Sequence, residues 1–208
     1  MMIIFINSWG QKQIFQHPDF KNLTESHKTL AILPFQAFLE PASESFENIS
    51  EKTLIDLSKH EGFKVQEAIF YFFNNKKNNK KLTIEFQDIN LTNKILNTKN
   101  INFERIPQLS TKELCEILNV DGVIIGSLNL NILISEDVND NPYDWIKNLL
   151  GKDLYGSITF KLSDKEKGKL LWKYVQSIGR KNGKNTEEIV YDLLKKIGRK
   201  FPYTNREI

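Results

Sequence analysis

Between Leu118 and Ile134 the chain reads LNVDGVIIGSLNLNILI, and this run limits the possible folds more than any other. Asp121-Gly122 is a turn signal, and the branched aliphatic triplet Val123-Ile124-Ile125 follows it at once. A continuous apolar run of this kind suits a strand buried on both faces. Beyond Gly126 the pattern becomes alternation, with Leu128, Leu130, Ile132 and Ile134 on one side and Asn129 and Asn131 on the other. Alternation belongs to a strand with one face in water. One strand therefore enters a core covered on both faces and leaves through a region covered on one.

The flanking sequence supplies elements to build around it. Ser110-Thr111-Lys112-Glu113 is a capping box, with Ser110 as N-cap and Glu113 as reciprocal acceptor, and predicts a helix over 111–119. Thr29 to Phe35 reads as a strand that ends, or reaches a sheet edge, at Pro34, which has no N–H for a ladder. Residues 12–28 are polar and aperiodic and read as an extended arm. Residues 36–48, with Pro41 and several Ser and Glu, read as a loop. Ser50 can cap a long helix to about residue 75, with Leu54, Leu57, Val65, Ile69 and Phe72 or Phe73 near one face. Gly62 inside it marks either a break or a place where another backbone approaches closely. Asn74 to Lys81 reads as a solvated turn, Leu82 to Ile89 as a half-buried strand and Leu91 to Leu96 as a short helix. Two alternating runs, Leu154 to Leu162 and Leu170 to Ile178, flank the polar turn Asp164 to Gly168 and predict a hairpin. A last helix carries Ile189, Leu193, Leu194 and Ile197 and closes at Gly198 and Pro202. The order predicts an α/β fold. It is a single domain over 29–204 with a mixed twisted sheet of about five strands packed by helices, and a C-terminal hairpin followed by a helix. Residues 137–151 form an insertion.

A net charge of +3 on 208 residues lacks the strongly basic balance of a nucleic-acid binder. Cys115 is the sole cysteine, so neither an intrachain disulfide nor a Cys-rich zinc site can form. Its neighbours Leu114, Ile117 and Leu118 place it as a small buried hydrophobe. Residues 1–11 (MMIIFINSWGQ) are uncharged and apolar, then small and polar. They are too short to span a bilayer and resemble the end of a secretory signal with Ser8-Trp9-Gly10 as the cleavage site. The basic n-region is missing, as it would be if the true start lay upstream. The competing reading of Ile3 to Ile6 is a first strand. The signal reading predicts a periplasmic or secreted protein without a transmembrane segment.

Three segments carry a family resemblance. Thr29-Leu30-Ala31-Ile32-Leu33-Pro34-Phe35 resembles the opening strand of bacterial envelope proteins of the TolB amino-terminal-domain and CsgG-like type. Leu118 to Leu128 is similar to the turn and strand of that family, with Asn119 in place of its usual Gly. Gly168-Lys169-Leu170-Leu171-Trp172 resembles its hairpin. The resemblance implies a small periplasmic α/β protein with no catalytic residues, whose partner is an envelope protein or a second copy. The acylated cysteine of the family's lipoproteins is missing.

The chemical constellations are weak. Asp137, Asn139 and Asn141 have calcium-loop spacing, but Pro142 stands where the loop needs Gly and Asn148 where it needs Glu. His60-Glu61 lacks a second His one turn on, where Lys64 stands. Ser127 after Gly126 does not complete a nucleophile elbow. Gly122 and Gly126 precede and interrupt a strand, whereas a phosphate loop follows one, so Asp121, Gly122 and Gly126 are assigned as a structural turn. No metal or cofactor is expected. Tyr143, Trp145, Ile146, Leu149 and Leu150 make a short apolar patch in the insertion. It is either a satellite core or a docking surface, and it is the preferred binding candidate. The sequence thus predicts a non-catalytic exported protein acting in envelope assembly or maintenance, through sheet edges and the insertion. The alternatives are a small hydrolase using Asp121 or the acids between Asp137 and Asp144, and a ring-forming secretion-type subunit.

Overall fold

The computed structural model describes residues 12–41, 50–78, 82–132, 154–178 and 186–204. The strands are β1 (Lys12–Gln16), β2 (Thr29–Ile32), β3 (Gln36–Pro41), β4 (Glu85–Phe86), β5 (Gly122–Ile132), β6 (Leu154–Asp164) and β7 (Leu170–Ile178). The helices are α1 (Phe20–Leu23), α2 (Glu51–Asn78), α3 (Ile89–Thr98), α4 (Thr111–Leu118) and α5 (Thr186–Ile197), with a short 3-10 turn at Ile106–Gln108.

All seven strands join one mixed sheet in the order β1-β7-β6-β5-β2-β4, with β3 also on β5. β5 is its axis. Along its whole length it pairs with β6, antiparallel, from Gly122 opposite Asp164 to Ile132 opposite Leu154. Its other edge is shared. Leu30 to Ile32 lie parallel beside Gly122 to Ile124, and Gln36 to Pro41 lie parallel beside Ser127 to Ile132.

Two apolar layers flank the sheet. On one face Ile32, Ile124, Leu128, Ile158, Phe160, Leu162, Trp172 and Tyr174 pack against Val65, Ile69 and Phe73 of α2 and Val190, Leu194 and Ile197 of α5. On the other, Ala31, Leu33 and Val123 pack against Leu96 of α3, Leu114, Cys115 and Leu118 of α4, and Ile101 and Ile106 between them. Val123 and Ile124 are buried on opposite faces, as the unbroken aliphatic run requires.

Several expectations change. The sheet has seven strands where about five were expected. The extra strands come from stretches read as arm and loop. Residues 12–16 pair antiparallel with β7, and burial of Phe20 in α1 ties the following turn to the core. Every residue of β1 is exposed, so no apolar alternation marks it in sequence. β3 forms despite Pro41 because that proline stands at its last residue. The strand expected over 82–89 is reduced to two residues and a bridge from Leu82 to Thr204. Asp88 ends it by capping α3, its Oδ1 accepting the N–H groups of Asn90 at 2.8 Å and Leu91 at 3.3 Å. The solvated turn expected from Asn74 starts later, since α2 runs to Asn78.

Gly62 does not break α2. It is a point of close approach: the Phe35 N–H donates to the Gly62 carbonyl at 3.1 Å, and a β-carbon on Gly62 would collide with the Phe35 carbonyl oxygen. Gly126 serves the same residue from the sheet, since a β-carbon there would strike the Phe35 ring and the Thr159 carbonyl oxygen. The capping box forms as predicted, the Glu113 N–H reaching Ser110 Oγ at 3.2 Å and the Ser110 N–H reaching Glu113 Oε2 at 2.8 Å. At the other end of α4, Asn119 is left-handed with φ 53°. Its N–H donates to the Glu116 carbonyl at 3.3 Å, and that of Val120 to the Cys115 carbonyl at 3.1 Å. This is a Schellman closure, and asparagine tolerates the conformation that glycine usually fills.

Two outcomes follow for thermal unfolding followed by circular dichroism. Gly126→Ala lowers stability by about 1–3 kcal/mol through overpacking against Phe35 and Thr159. Asn119→Ala costs about 1 kcal/mol, while Asn119→Gly costs nothing measurable.

Candidate interaction surface

The register of the ladders shows which side chains share a face, because successive residues of a strand point to opposite sides. On the face carrying α3 and α4, the helical cover ends near Ile125, which is only half-buried. Beyond it the sheet continues without a layer among the described residues. Three rows run across this open part. The first holds Ile125, Lys161, Lys173 and Phe15. The second holds Gln36, Ser127, Thr159, Val175 and Gln13. The third holds Phe38, Asn129, Ser157 and Ser177. All of these are half-buried or exposed, while their neighbours on the opposite face, such as Ile158, Phe160 and Tyr174, are buried.

The open face is polar, with exposed aromatic residues at both margins: Phe15 on β1 at 43% and Phe38 on β3 at 51%. Asn129 Nδ2 donates to Ser157 Oγ at 3.3 Å across the strands. Lys161 and Lys173 stand directly opposite each other, and no acidic side chain occurs in the three rows. Like charges opposed across a ladder are destabilising. A sheet that keeps such a pair without a facing carboxylate is suited to an anionic group brought from outside.

At the strand-starting end of the face the chain is braced by acids. Asp121 Oδ2 accepts the N–H groups of Lys28 at 2.7 Å and Thr29 at 2.9 Å. The Asp121 N–H donates to the Thr29 carbonyl at 2.9 Å, and its carbonyl accepts from Lys165 at 2.9 Å. One residue thereby joins β2, β5 and the hairpin turn. Burial raises the Asp121 pKa, but the two backbone donors, with His27 and Lys165, outweigh it and leave the carboxyl below its ordinary value. Asp164 is buried and folds the hairpin turn, its Oδ1 accepting from Lys169 at 2.8 Å and Lys167 at 3.3 Å. Beside this corner His27 Nδ1 lies 2.6 Å from Tyr203 Oη.

The candidates from sequence fall as follows. Tyr143, Trp145, Ile146, Leu149 and Leu150, with the whole 137–151 insertion and the acids from Asp137 to Asp144, lie outside the described residues. So does the signal-like segment 1–11. The insertion connects Ile132 of β5 to Leu154 of β6, the strands carrying the open rows. Asp121, Gly122 and Gly126 stand at the start and middle of β5, and the Asp121 carboxylate is engaged by backbone, where it positions strands. Cys115 is fully buried and burial pushes its thiol up to about 12, far from a nucleophile's range. His60 is exposed on α2 and Glu61 is buried. Among the described residues no group of His, Cys, Asp and Glu could hold a metal ion, and no helix is long and apolar enough to cross a membrane. The open face was missed as a site, although its signal is present: Ser157, Thr159 and Lys161 alternate with Ile158, Phe160 and Leu162.

No family model matches the sequence, and no curated protein matches it significantly. Among solved structures, the PelC dodecamer from Paraburkholderia phytofirmans is similar at a TM-score of 0.45 and 10% identity, covering 96% of this chain and 100% of that one. The lipoprotein GNA1162 from Neisseria meningitidis is similar at 0.40 and 12%, covering 83% and 99%. The LpoB C-terminal domain from Salmonella enterica is similar at 0.35 and 8%, covering 78% and 93%.

The His27 environment predicts a pH dependence. Burial pushes its imidazole below the ordinary value of 6.5, against the opposite pull of Asp121, Asp164 and Glu166. A histidine with a lowered folded pKa contributes stability that is fully present above about pH 6.5 and is lost as pH falls from there toward the folded value. Urea unfolding at a series of pH values should show that decline, and His27→Gln should flatten it while leaving the region above pH 7 little changed.

Proposed function

We propose that this protein is an exported, non-catalytic binding protein that serves cell-envelope assembly or maintenance by holding a partner against the open half of its sheet. The observation that carries the reading is the polar face that no described element covers, with Lys161 and Lys173 opposed and no acid in its rows. The 137–151 insertion, with Tyr143, Trp145, Ile146, Leu149 and Leu150, completes the contact surface in this proposal, because it springs from the ends of β5 and β6. A mixed aromatic and polar surface of this kind concentrates binding energy in its aromatic members.

The envelope setting is supported by sequence. The segments resembling the TolB amino-terminal-domain and CsgG-like proteins fall on β2, on the passage from α4 into β5, and on the turn into β7. The first two are adjacent through the β2–β5 ladder, and the third is linked to the second through Lys165 and Asp121. Export is supported by the signal-like residues 1–11.

Two measurements test the proposal. The chain recovered from envelope fractions should begin near Gln11 on N-terminal sequencing; an intact Met1 confined to the cytoplasm overturns export. A photo-reactive residue at Thr159 should cross-link to an envelope protein, and Lys161→Glu combined with Lys173→Glu should lower that yield at least about tenfold while the thermal midpoint holds. Equal cross-linking by the charge-reversed variant overturns the assignment of the face.

A further inference from the structure

The edge strand β1 has a definite outward row. The His17 N–H donates to the Leu171 carbonyl at 2.8 Å, so His17 points its backbone groups toward β7. Backbone direction repeats every second residue in a strand, and the β1–β7 register is continuous from Lys12 to Gln16. Phe15 and Gln13 therefore also face β7, while the N–H and C=O groups of Lys12, Ile14 and Gln16 point away from the sheet. No described strand pairs with them.

This edge lacks the usual protections. It has no proline and no bulge, its one charge is Lys12 at the end, and Ile14 and Phe15 are each 43% exposed, one on each face. The opposite side of the sheet is blunted, since β4 is two residues long and β3 ends in Pro41. A head-to-tail contact between copies would have to pair β1 with the outer edge of the six-residue β3, whose last residue, Pro41, has no N–H to give to a ladder.

We propose that the outer edge of β1 binds the same edge of a second copy of this chain, in an antiparallel pair with its two-fold axis at Ile14. Ile14 then exchanges both backbone hydrogen bonds with its counterpart, and Lys12 does so with Gln16 of the other copy. No like charges meet: the ammonium of Lys12 falls opposite an amide. Phe15 comes to lie beside Gln13 of the other copy on the open face, and the polar rows run on from one subunit to the next. The contact is isologous and closes at two subunits. It deepens the binding role proposed above, extending the same face, and can fail without it.

Sedimentation of the full chain over a concentration series tests the pairing. A reversible monomer–dimer equilibrium is expected. Ile14→Pro removes the central outward N–H, at an edge position where proline is tolerated, and should weaken the dimer at least about tenfold. Ile14→Lys should do the same with the circular dichroism spectrum retained, which separates loss of pairing from loss of fold. Ile14→Cys should form a disulfide-linked dimer under mild oxidation, since hydrogen-bonded partners sit about 5.5 Å apart at Cα; the native Cys115 is fully buried. Phe38→Cys at the opposite side should not cross-link. A strictly monomeric chain, assemblies larger than two, or equal cross-linking from both cysteines each overturn the proposal. Lys161→Glu with Lys173→Glu should leave the dimer intact, so failure of the edge and failure of the face are told apart.

Discussion

The structure depends on how closely the long helix lies against the sheet, and that distance is set by Phe35. Its carbonyl rests where a Gly62 side chain would be, and its ring rests where a Gly126 side chain would be. The ring also meets Phe160 edge-on at 5.0 Å between centroids, a favourable aromatic geometry. Phe35 is itself fully buried. A short connection between β2 and β3 thus becomes the spacer between α2 and β5. The apolar residues Val65, Ile69 and Phe73 can reach the sheet because those two glycines leave room.

From that contact the two-layer cover follows. α2 and α5 close one face over Ile124 and Leu128 of β5, Ile158, Phe160 and Leu162 of β6 and Trp172 and Tyr174 of β7, and Phe73, Phe86, Trp172 and Phe201 form a continuous aromatic wall, with Phe73 and Phe201 at 4.6 Å. Among the described residues the other face has only α3, α4 and their connection, which end near Ile125. Residues past that limit are half-buried or exposed, and they are Ser, Thr, Asn, Gln and Lys, with Val175 among them and Phe15 and Phe38 at the margins. The fold therefore separates its duties: the half covered twice holds stability, and the half covered once is available for contact.

The corner at Asp121 keeps these halves in register. Its carboxylate and backbone bind the start of β2 and the hairpin turn together, while Asn119 lets the chain reverse directly out of α4. The segments that resemble envelope proteins meet at this corner, so the resemblance follows the part of the molecule with the tightest backbone constraints. Turns of this kind restrict sequence through geometry, whether or not the surrounding surface keeps the same partner.

Periodicity and capping chemistry made much of this architecture legible in the chain. The change from Val123-Ile124-Ile125 to the Leu128/Asn129 alternation predicted a strand leaving a covered region, because side-chain period reports burial directly. Ser110 and Glu113 predicted the start of α4, because a cap is a local bond between residues three apart. Tertiary structure alone decided that Lys12 to Gln16 is a strand, since its pairing with β7 is distant in sequence and neither of its faces is buried. It also decided that Gly62 is a close contact and leaves the helix unbroken, because the residue that needs the space, Phe35, is far away along the chain. The candidate surface was only half readable: the polar positions of β6 alternate visibly, but the opposition of Lys161 to Lys173 is a matter of register, which exists only once the strands have paired.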